Sequence, residues 1–240
     1  MTEHIVTSYD EELKDLAVKI TRMGGHAEKV LTDATQALHR HDEELAMRTI
    51  NADEQIDRLE HEIEEQAILM IAKRQPVAAD LREVIAAIKI SSDLERIGDL
   101  AKNIAKRAVA VQSETGANKA VLGIDHMSRT ASEQLKDVLD AFTQRDVDKA
   151  MKVWHRDSEL DAMYTSIFRE LLTYMMEDTR NITYSTHLLF AAKNIERIGD
   201  HATNIAETIF YLAKGEPLRD ERPKQDASSF TRADYPQSDD

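Results

Sequence analysis

The sequence predicts an all-α protein built as two tandem three-helix bundles. Three observations predict it: a helix-forming composition, apolar residues recurring every three or four positions, and a second half that copies the first. The 240 residues include only 7 Gly and 4 Pro, with 5% aromatics against 32% charged residues, a balance that suits long amphipathic helices and not strands. A chain of this length buries a real core whether it forms one domain or two.

The first element is carried by the stripe Leu13, Leu16, Ile20, Met23, Ala27, Val30, Ala34 and Ala37, the seam of a long bundle helix. A break at residues 39–42 leads to a second stripe, Ile56, Leu59, Ile63, Ala67 and Met70. Pro76 then marks a turn into a third helix running to about residue 112, so helices two and three form an antiparallel hairpin. After the linker SETGAN at 113–118, a fourth helix carries Ile124, Met127, Ala131, Leu135, Val138 and Phe142. Leu160, Met163, Ile167, Leu171 and Tyr174 repeat the second stripe, and NIERIGDHATNIA at 194–206 repeats DLERIGDLAKNIA at 93–105 with nine of thirteen positions identical. Six long helices in two repeats, 1–112 and 119–214, follow from this pattern, and each repeat has too many apolar faces to leave its copy unpacked. The tail, residues 215–240, is rich in Pro, Ser and charge and is predicted to be disordered.

A net charge of −14 and a pI near 5.1 oppose binding to nucleic acid or to anionic membrane surfaces and favour cations and basic protein patches. Without cysteine there is no disulfide framework and no thiolate metal site, which fits a reducing cytoplasm. The N-terminal segment has no basic flank or apolar h-region, and no apolar run approaches the roughly 18 residues of a membrane span. A cytoplasmic protein with no membrane insertion is expected. No nucleotide or phosphate loop and no nucleophile triad is present. Trp154, Phe168, Tyr174 and Phe190 read as core or interface residues.

The chemistry lies in carboxylate pairs. Residues four apart on a helix project side by side, so Glu95 with Asp99 and Glu196 with Asp200 form duplicated acidic pairs, and Asp53 with Asp57 and Asp157 with Asp161 form two more. Each pair repels itself by a few tenths of a kcal/mol (~0.2–0.5) unless a cation neutralises it. Segments 53–57 and 95–99 are equidistant from Pro76, and 157–161 and 196–200 from the 178–179 boundary, so four carboxylates are expected at one level in each repeat. A helical wheel sets Glu95, Asp99 and Asn103 opposite the apolar stripe, predicting an acidic face open to solvent. Hard cations suit such oxygens: Mg²⁺, Mn²⁺ or Ca²⁺, with iron or zinc if a histidine joins. His201 follows Asp200, but Leu100 stands at its counterpart. A competing account has Arg96, Arg197, Lys102 and Lys106 neutralising the acids through intrahelical bridges, and both remain open at this level. Gly98 and Gly199, each costing about 1 kcal/mol mid-helix, point to close approach of a neighbouring backbone. Asn103 and Asn204, one turn beyond the acids, are assigned a supporting role.

The doubled segment 95-ERIGDLAKNIA-105 and 196-ERIGDHATNIA-206, with RQPVAADLR at 74–82 and the paired aspartates, resembles the PhoU signature, and the likeness covers about residues 5–214. The resemblance implies a non-enzymatic, metal-binding regulator of phosphate uptake, a cytoplasmic homodimer recruited to the inner membrane face by partners. Those partners would be the ATPase subunit of the phosphate ABC transporter and a sensor histidine kinase of the phosphate-starvation response. It also implies metal ions, Mg, Mn, Zn or Fe, at Glu95, Asp99, Glu196 and Asp200 with Asp53, Asp57, Asp157 and Asp161 opposite; Arg96, Arg197, Asn103 and Asn204 are read from the sequence as supporting residues beside them. Asn194 in place of Asp93 sets the second site apart from the first. Two alternatives stand: a metal-free helical scaffold, and a di-metal carboxylate enzyme. The latter lacks its Glu-x-x-His motif, since no Glu lies three residues before any of the 9 His.

Overall fold

The computed structural model describes residues 2–111 and 118–223. Among the described residues the chain forms eight α-helices and one 3-10 turn, with no strand: α1 (Thr2–Arg40), α2 (Glu43–Ala52), α3 (Glu54–Arg74), α4 (Ala79–Ala110), α5 (Asn118–Gln144), α6 (Val147–His155), α7 (Asp157–Glu177) and α8 (Ile182–Lys214). The predicted stripes are the buried faces. Leu16, Ile20, Met23, Ala27, Val30, Ala34 and Ala37 of α1 are all buried, as are Ile56, Leu59, Ile63, Ala67 and Met70 of α3.

Each repeat is three rods, and the middle rod is interrupted at one residue. The expected second helix is divided into α2 and α3 at Asp53, which keeps right-handed helical angles (φ −60°, ψ −32°), and its copy into α6 and α7 at Arg156. Pro76 lies in the turn between α3 and α4, where Gln75 (φ 50°) caps α3 through its N–H to the Ile71 carbonyl. The corners ahead of the interrupted rods are copies too. His41 (φ 52°) and Arg145 (φ 53°) turn left-handed, and the next residue, Asp42 or Asp146, accepts from the third N–H of the following helix at 2.9 and 3.0 Å.

The repeats share one continuous core. Residues Ile90, Leu94, Ile97, Ala101 and Ile104 of α4 and Leu188, Ile195, Ile198, Ala202 and Ile205 of α8 are buried, α4 packs along α8, and α1 packs along α5. Since α4 and α8 carry the duplicated signature, this seam sets the two acidic segments side by side at the centre of the molecule.

The start of the tail differs from expectation. Residues 215–223 run back along α8 from Gly215, Leu218 packs against the core, and Arg222 pairs with Asp157 and Asp200. Low apolar content predicted disorder here, but one guanidinium set between two carboxylates anchors the segment that composition could not. The remainder of the predicted tail, 224–240, and residues 113–117 of the predicted linker lie outside the described residues.

Replacing either cap aspartate, Asp42→Ala or Asp146→Ala, is expected to cost about 1 kcal/mol in urea unfolding. The corresponding Asn substitutions, which keep the acceptor, should cost far less.

Candidate acidic sites at the helix pairs

In the first repeat, Asp53, at the break between α2 and α3, meets Lys102 of α4 and is only 1% exposed. Lys102 of α4 reaches across and donates to Asp53 Oδ2 at 2.6 Å and to Asp99 Oδ1 at 3.3 Å. Arg96 lies 3.3 Å from Glu95 and 3.7 Å from Asp99. Thus Asp53 and Asp99 are brought to one ammonium, Glu95 sits beside them half-buried, and Asp57, also half-buried, acts on Asp53 through its charge. Asn103 is exposed and makes no part of the cluster.

The second repeat copies the acids and changes the cation. Thr203 stands where the repeat places Lys102, and its hydroxyl donates to Asp157 Oδ1 at 3.0 Å. Positive charge comes instead from Arg222, which meets Asp157 through two nitrogens at 2.8 and 3.0 Å and Asp200 Oδ1 at 3.1 Å. Lys193 pairs with Glu196 at 2.9 Å, and Asp157, Asp161 and Glu196 are 3%, 2% and 5% exposed. Arg197 is exposed. Asn204 is the junction: its amide nitrogen donates to Asp93 of α4 at 3.2 Å, and its oxygen accepts from Arg222 at 3.3 Å. His201 also turns to Asp93, 2.9 Å away, rather than to the acidic cluster.

The acidic face that the wheel set toward solvent is open only in part: Asn103 is exposed and Asp99 keeps 39% of its side chain exposed, but Glu95 is half-buried. Asp200 is half-buried too, and Asp53, Asp157, Asp161 and Glu196 are buried between the helices. Gly98 and Gly199 explain how the helices come so close. A Cβ on Gly98 would meet Asp53 Oδ1 at 2.7 Å and Ile56 Cδ1 at 2.8 Å, and one on Gly199 would overlap Leu160 Cδ1. The approaching group is thus a side chain, not the backbone expected from sequence.

Burial sets the electrostatics. It pushes the Asp53 carboxyl above the ordinary range, Lys102 opposes this, and Asp57 and Asp99 reinforce it. Burial likewise raises Glu95 to about 7, offset by Arg96 and reinforced by Asp99 and Glu60. Glu196 is raised by burial, against Lys193 and with Asp200 and Asp161. Asp53 Oδ1 and Glu196 Oε2 are buried without a hydrogen-bond partner, and such oxygens fit a hard cation chemically. Among the described residues, however, no three acidic or histidine side chains are grouped closely enough to hold a metal ion, and an ammonium and a guanidinium lie between the carboxylates.

The same segments decide the family. Residues 20–108 and 124–209 each match the PhoU domain. The chain belongs to the PhoU family. Its PhoU relatives include the phosphate-specific transport system accessory protein PhoU homolog of Rhizobium meliloti, 54% identical over 226 residues, covering 94% of this chain and 95% of the relative. The corresponding protein of Caulobacter vibrioides is 52% identical over 229 residues, covering 95% and 100%, and PhoU of Escherichia coli is 40% identical, covering 91% and 90%. Among solved structures, PhoU from Pseudomonas aeruginosa matches with a TM-score of 0.84 at 39% identity, over 87% of this chain and all (100%) of that one. The Streptococcus pneumoniae regulatory protein PhoU matches at 0.81 and 30%, over 88% and 99%. Both PhoU domains thus hold the acidic signature on their last helix, α4 or α8. Sequence reasoning weighed Lys102 as an intrahelical neutraliser; its reach across to Asp53 was not foreseen. Arg222 and Thr203 were missed, and the exchange of Lys102 for Thr203 between copies was the available signal.

Gly98→Ala is expected to destabilise the protein by up to about 2 kcal/mol in chemical unfolding, because overpacking costs ~1–3 kcal/mol against a ~1 kcal/mol gain in helix propensity. A Glu95 carboxyl raised in the folded state contributes stability fully present below its unfolded value near 4.5 and lost as pH rises through about 7. Glu95→Gln should therefore remove part of the fall in stability between those pH values, measured by urea unfolding at each pH.

Proposed function

We infer that this chain is a regulatory accessory protein of phosphate transport that acts through protein contact and not through catalysis. The observation that carries the reading is identity of 40–54%, over nine-tenths or more of both chains, to relatives named as accessory proteins of the phosphate-specific transport system. Apolar side chains left exposed at the hairpin tip of the first repeat, Leu69, Val77 and Leu81, and at that of the second, Met176 and Ile182, suit docking. The partners inferred are the ATPase subunit of the phosphate transporter and the cytoplasmic part of a sensor histidine kinase, with the chain acting as a homodimer in the cytoplasm. No described helix is long and apolar enough to cross a membrane, so contact with the transporter would be made from its surface.

The acidic clusters are inferred to take divalent cations in service of that contact. Asp53, Glu95 and Asp99 would hold one ion and Asp157, Glu196 and Asp200 another, with Asp57 and Asp161 flanking. A bound ion would supply compact positive charge. The chain's own residues supply the rest: α3 and α4, and α7 and α8, are held at their present spacing by shared cations, so a change of cation changes how each helix pair presents its tip.

Affinity capture with the transporter ATPase and with the kinase cytoplasmic domain tests the partners; failure to retain either would remove the contact reading. Replacing Glu95, Asp99, Glu196 and Asp200 together by Ala should abolish metal uptake, measured by elemental analysis after equilibration with Mn²⁺, while circular dichroism shows helicity kept. Unchanged uptake would remove the site assignment.

A further inference from the structure

The two acidic clusters are copies in their carboxylates and differ in where their positive charge comes from. In the first, Lys102 is one turn from Asp99 on the same helix and cannot leave. In the second, that position is the neutral Thr203, and the charge arrives on a segment without helix or strand, residues 216–223. Arg222 is 19% exposed and makes a closed set of contacts. Its Nε and Nη2 form a fork on the Asp157 carboxylate at 2.8 and 3.0 Å, and Nη2 also donates to the Asp200 carbonyl at 2.8 Å and faces the Asp200 carboxylate at 3.1 Å. Nη1 donates to Asn204 Oδ1 at 3.3 Å. Such a planar fork is selective for guanidinium and stronger than a single surface ion pair. Apart from Leu218 against the core, it is the anchor that returns this segment to α8.

We propose that residues 216–223 are a strap whose Arg222 is a tethered counter-cation for the second acidic cluster, and that the strap lifts when a divalent cation takes the place of the guanidinium between Asp157 and Asp200. This rests on the reading above that the clusters take cations. Buried as it is, Asp157 needs one positive partner, and the fork uses both its oxygens, so strap and ion exclude each other. By linkage, an ion that displaces the strap is itself weakened by the strap to the same degree. The first cluster has no such gate, so the repeats would respond differently to one cation. Asn204, bonded to both Asp93 and Arg222, carries the state of the strap to the α4–α8 seam.

The chain has no cysteine, so Glu221→Cys carries a single nitroxide in the full-length protein. The docked strap should give a slow, broadened spectrum in the otherwise unchanged protein. Arg222→Gln should give a sharp one, and Arg222→Lys, which keeps the charge and loses the fork, an intermediate one, with circular dichroism confirming the fold of each. Mg²⁺ is then titrated calorimetrically in a background with the first cluster disabled by Asp53→Asn and Asp99→Asn. Arg222→Gln should bind about ten-fold tighter or more, since a tethered competitor acts at roughly millimolar effective concentration, and Mg²⁺ should sharpen the nitroxide spectrum of the Arg222 protein. A spectrum already sharp with Arg222 in place overturns the strap. Mg²⁺ binding of equal strength with and without Arg222 overturns the gate. If neither protein binds Mg²⁺, the cation reading itself fails, and the exchange with it, while the spectra still decide whether the strap is docked.

Discussion

A carboxylate buried between two packed helices stays in place only if positive charge reaches it, and this structure depends on meeting that demand twice. Asp53 and Asp157 sit at the breaks in the middle rods, almost without solvent, each facing the helix that carries the family signature. Leaving one unpaired would cost several kcal/mol, on the order of 3–5 for a buried pair that loses one partner. The demand shapes what surrounds it: Gly98 gives up helix propensity so that Asp53 and Ile56 can approach, and Lys102 gives up solvent to lie between two aspartates.

The solutions differ because the copies have diverged at one position. With Lys102 in α4, the first cluster is neutralised within the repeat. With Thr203 in α8, the second must borrow charge from beyond the repeat, and Arg222 supplies it. That loan ties three parts of the molecule together, since Arg222 touches α7 through Asp157 and α8 through Asp200 and Asn204, and Asn204 in turn touches Asp93 of α4. The repeats are thus joined by a polar chain as well as by the apolar seam of Leu94, Ile97, Ile198 and Ala202.

Much of the fold was legible because helical periodicity is local. The stripes from Leu16 to Ala37 and from Ile56 to Met70 became buried faces, and Pro76 fell in the turn its geometry demands. The breaks at Asp53 and Arg156 were not legible, because Asp53 keeps helical angles and no glycine or proline marks either site. The acids were found by their spacing, but the burial of Asp53, Asp157, Asp161 and Glu196 was not. A wheel describes one helix by itself: α4 does keep a free stripe through Ser92, Arg96, Asn103 and Lys106, while the acids that face it from the neighbouring rod lie in the interface.

By itself the sequence determined the three rods of each repeat, the duplication, and the residues that bear charge near one level of each hairpin, since all of these follow from spacing along a chain with a fixed rise per residue. Only the tertiary structure decided which cation answers each carboxylate. Lys102 and Asp53 are 49 positions apart and Arg222 and Asp157 are 65 apart. Pairing over such separations is set by how helices pack and where a tail can return, and a local pattern of residues holds no record of either.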